Sequence, residues 1–141
     1  MNIAVTYYSK TGNTKKVAQA IAEAAGCTAR DIADFDASDT VDLLFIGGAI
    51  YGGKLDPALT EFISRLDPER IKQAVVFSTS ASRKAFGVAN NLMKDSLKKK
   101  GIPIEDDGFA SKGKFLFLSR KHPDNADLND AKQFALSLIS K

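Results

Sequence analysis

Short apolar runs alternate with amphipathic stretches from one end of the chain to the other. Residues 2–8, 28–32, 43–49, 74–79 and 102–104 read as strands; 28–32 is the weakest pattern, and the last run extends toward Phe109. Leu43-Leu44-Phe45-Ile46 and Val75-Val76-Phe77 are continuously apolar, as in strands covered on both faces. Val17, Ala18, Ile21, Ala22 and Ala25 recur at helical spacing over 13–25, and Gly26 stops that helix. A second helix opens with Asp56 as N-cap and Pro57 at its first position, then presents Leu59, Phe62, Ile63 and Leu66. Phe86, Ala89, Leu92, Met93 and Leu97 form a third stripe, ended by Gly101. A fourth helix runs over about 127–139, with Asp127 and Asp130 in its first turn and Ala131, Phe134, Ala135, Leu138 and Ile139 on its apolar face. The acidic stretch 31–42 lacks a helical period and is expected to be a short irregular crossover.

Five strands alternating with four helices predict an α/β domain over 1–141. The sheet is expected to be open, doubly wound and parallel, with helices on both faces. Ligands of such sheets bind beyond the carboxyl ends of the strands, near the switch in strand order. The loops that matter are therefore 9–14, 49–56, 79–85 and 109–125.

Composition narrows the setting. The chain has 141 residues, 44% of them hydrophobic, enough for one core but not for two. No apolar stretch approaches the roughly 20 residues of a membrane span. The first residues enter a strand at once, without the pattern of an export leader. With one cysteine, Cys27, no internal disulfide can form, so a reducing, cytoplasmic setting is expected. The net charge of +3 is slight, and Lys98-Lys99-Lys100 is read as a solvated helix end where cations favour the dipole. No basic face interleaved with aromatics suggests nucleic acid as a partner. One His and one Cys, with no acids clustered at ligand spacing, give no metal site.

The chemistry starts in the first loop, Ser9-Lys10-Thr11-Gly12-Asn13-Thr14. Three hydroxyls and a glycine stand where a helix N-terminus offers free N–H groups. That combination binds a phosphate through hydrogen bonds and the positive helix end. It is neither a Walker loop nor a G-x-G-x-x-G fingerprint. The second loop, Ala49-Ile50-Tyr51-Gly52-Gly53-Lys54, offers a ring for one face of a planar ligand and glycines for close backbone approach.

Together, Ser-x-Thr-Gly-x-Thr at 9–14, Gly47-Gly48-Ala49-Ile50-Tyr51-Gly52 and the element order resemble the flavodoxin family along nearly the whole chain. The resemblance implies strand order 2-1-3-4-5 and FMN as cofactor. It assigns the phosphate to Ser9, Lys10 (through its backbone), Thr11, Gly12, Asn13 and Thr14. Ile50, Tyr51, Gly52 and Gly53 would meet the flavin ring, with Tyr51 over its inner face and the Gly52 peptide turning toward N5. Thr79, Ser80, Ala81 and Ser82 would hold the pyrimidine edge through backbone groups, with Arg83 at the rim. No catalytic side chain is implied, because the cofactor does the chemistry.

The third loop departs from the family pattern. Ser80-Ala81-Ser82-Arg83-Lys84 lacks the usual outer aromatic and acids, and Phe86 belongs to a helical stripe. The cations imply a second reduction step less negative than in acidic flavodoxins, since positive charge stabilises a reduced, anionic flavin. A monomeric one-electron carrier serving redox proteins is the first expectation. The alternative is an FMN oxidoreductase acting on NAD(P)H, a quinone or a protoporphyrinogen-like substrate. The segment 48–52 resembles protoporphyrinogen dehydrogenases, but 107–114 is too short for their insertion.

His122 is read as part of a surface turn, Arg120 and Lys121 as solvated charges, and Cys27 as a small core residue. Rival families on this architecture fail on residues. Response regulators need acids where Tyr8 and Ala49 stand, and the small tyrosine phosphatases need C-x₅-R, whereas Ala33 is the sixth residue after Cys27.

Overall fold

A computed structural model describes residues 1–10, 12–51, 53–79, 87–110 and 124–140, with Tyr51 described by its backbone. The elements are β1 (Ile3–Tyr7), α1 (Asn13–Ala25), β2 (Ala29–Asp31), a 3₁₀ turn (Ile32–Asp34), β3 (Leu43–Gly48) and β4 (Ile50–Tyr51). They continue with β5 (Lys54–Leu55), α2 (Pro57–Ser64), β6 (Ala74–Ser78), α3 (Val88–Lys100), β7 (Phe109–Ala110) and α4 (Asn125–Ile139). Strands β2-β1-β3-β6-β7 form one parallel sheet, so the five long-range strands follow the expected 2-1-3-4-5 order. β4 and β5 make a separate antiparallel hairpin with Ile50 opposite Leu55 and Tyr51 opposite Lys54.

The continuous apolar runs are explained by two cores. Leu44, Ile46 and Val76 pack with Leu59, Ile63, Met93 and Leu97 on the α2–α3 side. Leu43, Phe45, Val75 and Phe77 pack with Val17, Ile21, Ala131 and Ala135 on the α1–α4 side. Successive residues of β3 and β6 thus serve opposite faces, and neither face meets water.

At the end of β3 a side chain from each core closes on the backbone. A β-carbon on Gly47 would lie 2.0 Å from the Phe77 ring, and one on Gly48 would lie 2.4 Å from Leu59 Cδ2. Two large side chains fill the space above and below this dipeptide. Against the rigid Phe77 ring, lack of room keeps position 47 a glycine, while at 48 the Leu59 methyl would have to shift.

Beyond shifts of one residue at strand ends, the structure departs from the sequence reading at three places. The expected strand 102–104 is reduced to a bridge between Ala74 and Ile104, and β7 begins only at Phe109. Helix α4 starts at Asn125, ahead of 127, because Asp124 and Asp127 exchange side-chain-to-backbone bonds in a capping box. Helix α2 ends at Ser64, although Leu66 beyond it is still buried. Among the described residues, no helix is long and apolar enough to cross a membrane.

Candidate functional site

The carboxyl ends of β1, β3 and β6 bring the first loop, the β4–β5 hairpin and Thr79 to one edge of the sheet. In the first loop Ser9 Oγ accepts the Gly12 N–H at 2.9 Å, which turns the chain back on itself. Gly12 is the N-cap of α1 at φ +91°, and no side chain caps the helix. That left-handed conformation strains any residue with a β-carbon. The first helical bond runs from Lys16 N–H to Gly12 O at 3.1 Å. The N–H groups of Asn13, Thr14 and Lys15 therefore have no acceptor within the helix, and they carry its positive end.

Thr14 is 1% exposed and turns its hydroxyl toward that of Thr79, 2.8 Å away. This bond ties the first loop to the chain leaving β6. Thr79 lies two residues beyond Phe77 and so shares its side of the strand, the side on which α1 packs.

Lys10, expected to serve through its backbone, has a structural role for its side chain. Its Nζ lies 3.1 Å from Asp56 Oδ2, linking the first loop to the N-terminus of α2. Asp56 caps that helix by accepting the Ala58 N–H at 2.9 Å. The Ala58 N–H holds the Asp56 carboxyl below the ordinary carboxylate range; the Lys10 ammonium and Tyr8 hydroxyl add to this, and desolvation opposes it.

The second loop is more regular than expected. Ile50 is half-buried against the α2–α3 core, and Gly53 at φ +80° turns β4 into β5. Ser9, Lys10, Gly12, Asn13, Thr14, Ile50, Tyr51, Gly53 and Thr79 thus all belong to segments leaving this edge. Thr11, Gly52, Ser80, Ala81, Ser82 and Arg83 lie outside the described residues, as do Lys84, Phe86, Arg120, Lys121 and His122.

Two contributions were missed by sequence reasoning: the Lys10 side chain with Asp56, and the Thr79 hydroxyl. Asp56 was readable as a cap, but nothing local in the sequence pairs it with Lys10. Cys27 is half-buried against the α1–α4 core, and burial pushes its thiol above the ordinary value while Arg30 pulls it down. No group of three or more potential metal ligands occurs among the described residues.

The sequence model of the flavodoxin domain matches residues 4–107, which span the first loop, the hairpin and β6. The chain belongs to the flavodoxin family. An uncharacterized protein of Methanocaldococcus jannaschii is 30% identical over 136 residues, covering 90% of each chain. Among solved structures, a flavodoxin from the domain Archaea superposes with a TM-score of 0.78 at 18% identity, over 99% of this chain and 97% of that one. Oxidised flavodoxin 2 of Bacillus cereus gives 0.77 at 18% identity, over 99% of both. At such identities the two structures speak for the fold alone.

Proposed function

We propose that this flavodoxin-family chain binds FMN at the carboxyl edge of β1, β3 and β6 and carries electrons between redox proteins. The observation that carries the reading is the amino end of α1, which Gly12 leaves without a side-chain cap beside Ser9 and Thr14. The donor set fits a phosphate monoester: backbone N–H groups of the first helical turn, flanked by hydroxyls and no carboxylate within the loop. Lys10 contributes its backbone to that cradle while its ammonium lies against Asp56. The hairpin sets Tyr51 and Gly53 at the mouth of the same edge, where Tyr51 is assigned to the ring and Gly52 to its N5 side. The backbone from Thr79 to Ser82 is assigned to the pyrimidine edge, and Arg83 to the rim.

When bound, FMN supplies one- and two-electron redox chemistry, and the protein binds, orients and tunes it. The residues assigned to it are backbone groups, hydroxyls, one ring and the Arg83 cation, in keeping with a site where the cofactor does the chemistry. That set suits a carrier acting on partner proteins, and we take that carrier to be a cytoplasmic monomer.

Reconstitution with FMN followed by anaerobic reductive titration tests the proposal. Tight binding, with electrons taken up singly, supports the carrier. Uptake as a pair, together with turnover of NAD(P)H or a quinone, replaces it with an oxidoreductase. Failure to bind FMN overturns the reading.

A further inference from the structure

We infer that Thr79 is a positioning residue for the phosphate, acting through its side chain on Thr14. This role rests on the FMN reading and adds to the backbone contacts assigned to Thr79.

The two hydroxyls are 2.8 Å apart, and both side chains are at least nine-tenths buried. Each hydroxyl has one hydrogen to donate and lone pairs that accept. If Thr14 donated to Thr79, it would have no hydrogen left for an anion at the helix end. A phosphate beside Thr14 therefore sets the direction of the pair: Thr79 donates to Thr14, and Thr14 donates to the phosphate oxygen. In that order the Thr79 bond polarises the Thr14 O–H and strengthens it as a donor. It also selects one rotamer of Thr14 before the ligand arrives, so less ordering remains to be done on binding.

Thr79 is well placed for this because it leaves the end of β6, a core strand whose residues Ala74 to Ser78 are all buried. The hydroxyl of a loop residue is thereby referred to the sheet. A serine retains the hydroxyl, while valine keeps the shape without it.

The test compares FMN with riboflavin, which has the same ring and no phosphate. Binding of both is titrated to the full chain and to its Thr79→Val, Thr79→Ser, Thr14→Val and Thr14→Val/Thr79→Val variants. Thr79→Val is expected to weaken FMN about tenfold, the scale of one hydrogen bond to a charged ligand, and riboflavin by less than about twofold. Thr79→Ser should stay within about threefold of the parent for FMN, since the donor is kept. The double variant should bind FMN like Thr14→Val alone, because Thr79 acts through Thr14.

Equal losses for FMN and riboflavin in Thr79→Val would overturn the inference, since a fold defect or a ring contact predicts them. Parent-like FMN binding by that variant, or additive losses in the double variant, would do the same. Should Thr79→Val not fold, the double variant and Thr79→Ser still decide, as neither leaves Thr14 unpaired beside an apolar group. A parent chain that binds neither flavin overturns the FMN reading itself, and this role with it.

Discussion

The amino ends of α1 and α2 are joined by the Lys10–Asp56 ion pair and finished in opposite ways. Helix α2 is closed by its own Asp56 carboxylate, with Pro57 following, and so has its first-turn donors and dipole satisfied from within. Helix α1 is led by a glycine with no side chain to offer. Helix α4, at a distance, is closed twice over by Asp124 and Asp127. A capped end adds stability to the chain, whereas an open one keeps its hydrogen-bonding capacity for something else. Helix α3 is likewise led by an uncapped glycine, Gly87, so the open end does not by itself single out α1; the hydroxyls of Ser9 and Thr14 stand beside it, and Asp56 keeps the neighbouring cation occupied.

The largest effect is expected from disturbing the floor beneath both ends. Gly47→Ala drives a methyl into the Phe77 ring and should lower the unfolding free energy by about 3 kcal/mol, read by denaturant titration. Next comes closing α1 in the manner of α2. Gly12→Asp places a carboxylate at the helix end proposed for the phosphate, at a left-handed position, and should weaken FMN binding roughly a hundredfold. The converse change, opening a closed end, should leave the ligand alone. Asp124→Ala is expected to lower stability by about 1 kcal/mol while FMN affinity moves by less than about twofold.

The smallest effect concerns the bridge between the two ends. Asp56→Asn keeps an N-cap but removes the charge facing Lys10. A carboxyl held low in the folded state contributes stability above its unfolded pKa, and that contribution is lost as pH falls through the folded value. The variant should therefore melt lower than the parent near neutrality, and the gap should close in acid. A gap that persists in acid would show that the charge is irrelevant to the bridge.

Much of this arrangement was legible because it is local. Helix α1 could be placed to the residue by its stripe and by Gly26, which takes φ +75° and donates to the carbonyls of Ala22 and Glu23. The central strands announced themselves by apolar runs that only two-sided burial explains. The edge beyond β6 was not legible. Ile102 and Ile104 look like strand, but Pro103 between them has no N–H to donate, and it serves as the acceptor for Ala74 N–H. Pairing resumes at Phe109, just past Gly108, where a β-carbon would sit 3.1 Å from the Val76 carbonyl oxygen. The β4–β5 hairpin escaped because its strands have two residues each, too few to show a period. Cross-loop partners such as Thr14 and Thr79 lie 65 residues apart, and no local pattern can report them.

The wedge of Phe77 over Gly47 and of Leu59 under Gly48 also bears on how this sequence can diverge. Each glycine and its large neighbour share one volume, so neither position is free to drift alone. Relatives that carry alanine at the place of Gly47 should carry a side chain smaller than phenylalanine at the place of Phe77. The same exchange should link the places of Gly48 and Leu59. Those two couplings lie on opposite faces of one strand, so they should vary independently of each other, a signature that an alignment of the family would reveal as two separate pairs.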